Sequence, residues 1–434
     1  MADRPAASRA WFACAILSLG YLLAFADRTV VALLVVPIEH DLGLTDIQLS
    51  LIQGTAFAVF YALFGLPVAW AVDRLHRGRI VAAGIAIWSA MTALAGLAGG
   101  FGSFFLARVG VGAGEATILP GATSLFADLF PAALRGRVLG IFASGIYLGS
   151  ALALIGGGLV LRALHGGVLV LPGLGALHPW RVVLLLAAAP GVPLAVAALA
   201  LREPARRHRA SAAPAPSFPA AFRAGGAALA AHIVAFTALA FASYAATAWL
   251  PTLLIRVHHW TPAQVGTRLG LEVLLVGPAG SIAGGVLADL LERRRRSDGK
   301  FLVTALAAAG TVPSALLAGL APGAAGAFAG AGLVIFFTSF VWGLAPTALA
   351  EIVHGAALGR VTAVYTAILN LIGLGLGPTS VALVARFLFP GPTGLAPAVA
   401  VVVPIAALIS LAACLAGRRA YRTVRLRLVP GEPR

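Results

Sequence analysis

The sequence predicts an all-α membrane protein of twelve transmembrane helices arranged as two six-helix halves. Three observations carry this expectation. The 434 residues are 60% hydrophobic and 11% charged, against about 25% charged in soluble domains, and the mean hydropathy is +0.97. Apolar stretches of about 20 residues, each long enough to cross a hydrocarbon core of about 30 Å as a helix, recur along the whole length. Six precede and six follow one polar break. Open sheets and lipid-exposed loops leave backbone groups unsatisfied in a bilayer, so the spans are helices.

The first half, residues 1–200, holds spans near 10–35, 46–71, 79–99, 103–127, 137–161 and 180–200. The stretch LREPARRHRASAAPAPSFPAAFRAGG (201–226) is rich in Pro, Ala, Ser and Arg without an apolar period. It reads as a cytoplasmic linker over 201–223. The second half, 224–417, holds spans near 224–250, 264–289, 300–320, 325–349, 360–386 and 395–417, and residues 418–434 read as a basic cytoplasmic tail. AVDRLHRGR after the second span resembles LADLLERRRR after the eighth, which marks the halves as parallel copies. Glycines four apart, as in Gly145/Gly149, Gly280/Gly284 and Gly373/Gly377, let helix backbones approach closely.

The net charge of +16 does not point to nucleic acid, because the arginines follow topology. Arg4, Arg9, Arg74, Arg77, Arg79, Arg135, Arg137, the Arg202–Arg209 group, Arg293–Arg296 and Arg418–Arg427 fall on one side of the spans. Arg162, Arg181 and Arg256 fall on the other, with Glu39, Asp41 and Asp46. That asymmetry places both termini in the cytoplasm. Arginine in near-total preference to lysine, with abundant alanine, fits a GC-rich bacterial genome and hence a bacterial inner membrane. A charged first span argues against a cleaved signal peptide. Cys14 and Cys414 lie inside the first and last spans as small apolar residues. His232, His258 and His259 lack metal-ligand spacing, so neither metal nor cofactor is expected.

Charges inside spans cost on the order of 2.5–3.5 kcal/mol each near the bilayer centre, so they face protein or a cavity. Asp27 and Arg28 lie in the first span and Arg108 and Glu115 in the fourth. The last two share a helix face about 10 Å apart along the axis, too far to pair. Counted from the outer ends, Arg108 lies roughly 8 Å deep, Asp27 and Arg28 roughly 10–12 Å, and Glu115 roughly 18 Å. Adjoining helices would bring Asp27 to Arg108, and Arg28 or a water to Glu115. Two readings stay open: a self-neutralising network, or carboxylates that exchange protons while the arginines hold an anion. An apolar cavity favours the neutral acid, which suits Glu115 to carrying a proton.

Phe57, Tyr61, Tyr147, Tyr244 and Trp249 are candidate cavity linings, or packing and interfacial aromatics. Asn370 is a candidate polar contact, or interhelical glue. Arg268 and Glu272, four apart, read as a helix-surface salt bridge. Asp73, Arg74, Arg77 and Asp289, at the cytoplasmic ends of the second helix of each half and just beyond, are candidate gating residues, or a juxtamembrane charge cluster. Glycine runs such as GVGAG lie inside apolar spans, without the strand and soluble βαβ setting that a dinucleotide site needs.

At these residues the chain resembles the major facilitator superfamily and, within it, the Spinster-like branch. The resemblance lies in FADRTV (25–30), DLGLTDIQLSLIQGTAFAVFYALFG (41–65), VDRLHRGRIVAAGIAIWSAMTAL (72–94) and ARVGVGAGEATILPGATSLFADLFP (107–131). It continues in RGRVLGIFASGIYLGS (135–150), LREPAR (201–206), WLPTLLIR (249–256) and NLIGLGLGP (370–378). It implies a transporter whose halves rock about a central cavity, and a proton-linked polar site at Asp27, Arg28, Arg108 and Glu115. Eukaryotic Spinster proteins move lysophospholipids and sphingosine-1-phosphate. The chain departs at Ala69, where the family's loop motif has glycine, and at Tyr147, where better-known members have proline; the second bears on pocket shape.

The expected partners are membrane lipids, protons and a small amphipathic or anionic substrate, and the expected state is a monomer. Few Asn and Gln in the spans favour a lipid-like substrate over a sugar acid. A small carboxylate or sugar acid taken up by symport, or a drug expelled by antiport, is the alternative. A membrane enzyme would gather His, Asp or Cys at one face, and a sensor would carry a further soluble domain. The sequence has neither.

Overall fold

A computed structural model describes residues 7–164, 167–173, 175–204, 218–353 and 357–428. The chain forms two compact units, Met1–Ala210 with Trp260–Leu274, and Ser211–His259 with Leu275–Arg434.

The first unit opens with α1 (Ala7–Leu42), which runs well past both ends of the expected first span. The second span enters through a short helix, α2 (Asp46–Ser50), whose Thr45 and Gln48 form a reciprocal capping box. A π-helical turn over Leu51–Thr55 then leads into α3 (Ala56–Arg74) and α4 (Arg77–Gly96). The fourth span, expected as one helix, is two: α5 (Phe101–Glu115) and α6 (Ile118–Leu129), parted by a turn at Ala116 and Thr117. After α7 (Ala132–Ala163) comes a two-stranded antiparallel ribbon, β1 (Leu169–Leu171) and β2 (Gly175–Leu177), in a stretch expected as plain loop. The sixth span is α8 (Pro179–Ala188) and α9 (Gly191–Leu199), broken where Pro190 removes a backbone donor.

The second unit contains α10 (Phe218–Arg256), most of α11 (Pro262–Arg293), α12 (Gly299–Leu320), and a tenth span split at Ser339 into α13 (Ala324–Thr338) and α14 (Phe340–Ile352). Then come α15 (Ala357–Ile368), a π-helical stretch over Leu369–Leu376, α16 (Gly377–Leu388) and α17 (Leu395–Leu428). The residues expected as a basic tail are therefore the last turns of α17 up to Leu428, with Tyr421 and Arg425 buried. Most of the expected linker lies outside the described residues.

Among the described residues, eleven helical segments are long and apolar enough to cross a membrane. The broken pair α5 and α6 covers the remaining span, consistent with twelve. The glycine pairs sit at close crossings: a Cβ at Gly149 would lie 2.1 Å from the Leu22 carbonyl oxygen of α1, and one at Gly280 lies 2.3 Å from that of Phe336. Cys14 and Cys414 are buried and unbridged.

Candidate functional site

The charged chemistry gathers around α1 in the first unit. Asp27 and Arg28 are consecutive, so they leave the helix about 100° apart and reach different neighbours. Asp27 turns to α4 and α5. Arg108 donates from Nη1 to its Oδ2 at 2.6 Å, and the Thr92 hydroxyl donates to its Oδ1 at 2.6 Å. Arg28 turns to α3 and the end of α5. Its Nε and Nη2 each lie 2.7 Å from the same oxygen, Glu115 Oε2. The guanidinium also stands 4.2 Å from the ring centre of Phe57, 4.9 Å from that of Phe25 and 5.4 Å from that of Tyr61. Phe57 and Tyr61 stack on each other at 5.4 Å. Arg28 is thus held by one carboxylate and three aromatic rings, each ring contact adding about 0.5–2 kcal/mol depending on desolvation.

The glycines of RVGVGAGE make this arrangement possible by letting α5 lie against α3 and α4. A Cβ at Gly112 would come within 2.7 Å of the Phe57 carbonyl oxygen, so this residue sets how near the α3 aromatics stand to the ion pairs. A Cβ at Gly114 would come equally close, 2.7 Å, to the Gly84 carbonyl oxygen of α4. Glu115 follows at once as the last residue of α5, and the Thr117 hydroxyl closes the turn by donating to Gly114 O at 2.8 Å.

Burial grades the four charges. Glu115 is 0% exposed, Arg108 1% and Asp27 4%, while the Arg28 side chain is 15% exposed. Buried ions are tolerated when paired and costly when one partner is removed, by about 3–5 kcal/mol. Glu115 Oε1 and Arg108 Nε are sealed and have no hydrogen-bond partner among the described residues. Each pair therefore keeps one unused polar position. Thr92 and Phe25 are site residues that sequence reasoning missed. Each was visible only as an ordinary residue in an apolar span, since depth on α4 says nothing of which face meets Asp27.

The other candidates are placed as follows. Tyr147 is half-buried on α7. Tyr244 and Asn370 belong to the second unit. Tyr244 packs edge-on against Trp342 at 5.5 Å, and the Asn370 amide donates to Thr366 O of its own helix at 2.9 Å, a bond within the chain's own spiral. Trp249 donates to Pro378 O at 2.8 Å. The expected salt bridge between Arg268 and Glu272 is not formed: the Arg268 guanidinium lies 4.8 Å from the centre of the Trp260 ring instead.

Of the four candidate gating residues, three are exposed. Arg74 lies 4.6 Å over Trp70, and Asp73 and Asp289 are turned outward. Arg77 is different: it is 1% exposed and ties together three parts of its own unit. Its backbone N–H and Nε donate to Glu203 at 2.8 and 2.7 Å, and Nη1 donates to Asp128 Oδ2 at 2.5 Å and to Ser124 Oγ at 2.9 Å. The second unit repeats the device. Lys300, at the start of α12, donates to Glu351 at the end of α14 and to Glu292 at 2.7 Å, while Tyr421 also donates to Glu351 and Arg425 lies 3.5 Å from it. Arg77 and Asp128 are 51 residues apart, and so are Lys300 and Glu351. This shared spacing is a stronger mark of internal duplication than the loop motifs, and it needed the structure to show which charges meet. At the opposite end of the first unit, Asp41 accepts from Trp180 Nε1 at 2.9 Å and from Arg181 Nη2 at 3.0 Å, fastening α1 to α8.

Comparison with known proteins follows the same lines. The family model described as Major Facilitator Superfamily matches residues 17–378. An MFS-type efflux pump of Mycolicibacterium smegmatis is 32% identical over 309 residues, covering 68% of this chain and 66% of that protein. Human protein spinster homolog 1 is 33% identical over 248 residues, covering 54% of this chain and 44% of that protein. The probable galactarate/D-glucarate transporter GudP of Bacillus subtilis is 32% identical over 143 residues, about a third of each chain. The match thus spans less than two thirds of each of these relatives. Among solved structures, a bacterial homologue of the human lysosomal transporter Spinster, crystallised in an inward-facing and unoccupied conformation, superposes with a TM-score of 0.78. It is 25% identical, and the match covers 98% of this chain and 100% of that one.

Proposed function

The chain belongs to the major facilitator superfamily, and on that premise we propose that it is a proton-coupled secondary transporter of an amphipathic, anionic lipid-like molecule, of lysophospholipid or sphingosine-1-phosphate type, working by alternating access. It is a multi-pass membrane transporter related to Spinster, and not an enzyme. The proposal adds the substrate, the proton, and a bacterial inner-membrane location with both termini cytoplasmic.

The observation that carries the reading is the pairing of Arg28. It is the only one of the four charges with appreciable exposure, it is bound to one carboxylate oxygen, and aromatic rings surround it. A substrate phosphate or carboxylate competes with Glu115 for this guanidinium, and Phe25, Phe57 and Tyr61 offer apolar surface to the adjoining chain. Protonation of Glu115 weakens its hold, because the carboxyl then has no charge to attract the guanidinium and only a hydrogen bond from Arg28 to a neutral oxygen remains. Arg108, sealed behind Asp27, holds that carboxylate in place. Asp27 is the second proton-accepting group of the site. Arg77 and its partners brace one end of the first unit, so that its helices move together when the cycle turns; Asp73, Arg74 and Asp289 are left to meet partners in another state.

Reconstituted protein tests this. Glu115→Gln abolishes movement of a lysophospholipid driven by a pH gradient while exchange between the two sides persists; full retention of the drive refutes the proposal. A second reading, a symporter of sugar acids, is favoured by the match to a probable galactarate/D-glucarate transporter. Under that reading galactarate, and not a lysolipid, displaces Glu115 from Arg28.

A further inference from the structure

Helix α11 begins at Pro262, and its stretch up to Leu274 belongs to the first unit. It lies close against α7 there: a Cβ at Gly266 would come within 2.4 Å of the Leu154 carbonyl oxygen, and one at Gly270 within 2.6 Å of the Ile155 side chain. The contacting ridges carry no charge. Glu272 sits in this stretch, ten residues from the start of the helix. That is about 15 Å along the axis, inside the apolar stretch of a helix that is itself longer than a hydrocarbon core of about 30 Å.

The carboxylate has been left without support. Its Oε2 is sealed, and neither oxygen has a hydrogen-bond partner among the described residues. The cation one turn earlier, Arg268, has its guanidinium over Trp260. On α7 the nearest-end charge is Arg162, which is exposed in the last turn, and Arg135 and Arg137 lie at the far end. The remaining charges of α11, Asp289, Glu292 and Arg293, are at least four turns further along. An ionised carboxylate without a partner inside a span costs up to about 2.5–3.5 kcal/mol, and the cost disappears when it takes a proton or when a cation arrives. Arg268 is the cation within reach, since side chains four apart share a helix face.

We infer that Glu272 is a further proton-exchange group of the transporter, apart from Glu115 and Asp27: it holds a proton while Arg268 rests on Trp260, and releases it to water when Arg268 swings down to pair with it. The release breaks the O–H bond and leaves the carboxylate that Arg268 neutralises, so charge balances within one helical turn. The role in transport rests on the proton-coupled reading above; the proton exchange itself does not.

Two measurements separate these. Full-length protein purified in detergent is given an acid pulse across the neutral range, and proton uptake is read with a pH dye. Glu272→Gln takes up one proton fewer per chain than the parent, and Glu272→Asp restores it; equal uptake by parent and Glu272→Gln overturns the inference. In proteoliposomes with lysophosphatidylglycerol as the probe and an imposed pH gradient, Glu272→Gln lowers the number of protons moved per probe molecule by one while exchange continues. An unchanged ratio overturns the transport role of Glu272. A parent that shows no gradient-driven movement sinks the coupled reading alone, and the dye titration still decides whether Glu272 exchanges a proton.

Discussion

Replacing Arg28 by lysine keeps the positive charge and removes the fork, and the structure sets the size of the loss. Arg28 places two nitrogens 2.7 Å from Glu115 Oε2 and lays its plane over Phe57 at 4.2 Å. An ammonium can direct one donor at that oxygen, so one charge-assisted bond of about 1.5–3 kcal/mol disappears. Stacking on the rings is weakened as well, by about 0.5–1 kcal/mol, because lysine lacks a planar face. The sum is about 2–4 kcal/mol, with no discount for solvent because the side chain is 15% exposed. If the substrate's acidic head takes over the same two donors, Arg28→Lys weakens its binding by a comparable amount, from about 30-fold to about 700-fold at about 1.4 kcal/mol per decade. The assay is equilibrium binding of lysophosphatidylglycerol to the purified protein, with monoacylglycerol as the uncharged control. Binding of the control should change less than threefold, about 0.6 kcal/mol. Equal losses for the two probes, or none for the anionic one, would refute the assignment of Arg28 as the anion anchor.

Other consequences follow from particular contacts. Gly112→Ala forces α5 away from the Phe57 carbonyl, which a Cβ would approach to 2.7 Å; transport of the lysolipid probe should fall at least tenfold, and restoration of full flux would show that the α3–α5 spacing is not critical. Thr92→Val removes the hydroxyl bond to Asp27 at 2.6 Å. Thermal unfolding should register a loss of about 1.5–3 kcal/mol, the worth of a bond to a charged group. Arg77→Gln leaves Asp128 and Glu203 without their cation, and should destabilise the protein by about 3–5 kcal/mol in the same assay. Lys300→Gln, at the matching place in the second unit, should cost less, about 1.5–3 kcal/mol, because Arg425 still stands 3.5 Å from Glu351 and 3.3 Å from Glu292; no loss at all would break the equivalence of the clusters.

The depth estimate along α1 and the fourth span pointed to the right neighbours, because rise per residue is nearly constant in any helix and two antiparallel registers can be compared without knowing the packing. It did not show that the fourth span stops at Glu115. Pro120, in the first turn of α6, has no N–H to offer the Ala116 carbonyl and so favours a break at Ala116 and Thr117, but a proline inside a span can kink a helix without cutting it. The cut falls where the α4 backbone at Gly84 packs against Gly114, a contact made by residues distant in the chain. Thr92 and Phe25 were overlooked for a related reason: a hydroxyl or a ring becomes part of a site by the direction it faces, and direction depends on the neighbouring helix. Arg268 and Glu272 were misjudged by spacing alone. Four residues apart makes a pair possible, but Trp260 offers the guanidinium a face at 4.8 Å and takes it.

Local composition was enough to point to a helical membrane protein and to its four costly charges, since both follow from transfer energies and from periods that act within a few residues. Which carboxylate holds which arginine, and that Arg77 and Lys300 answer each other at one interval, depended on side chains brought together across dozens of residues. Those contacts are set by glycine-lined crossings of whole helices, and their energies are spent between segments, where no single stretch of chain records them.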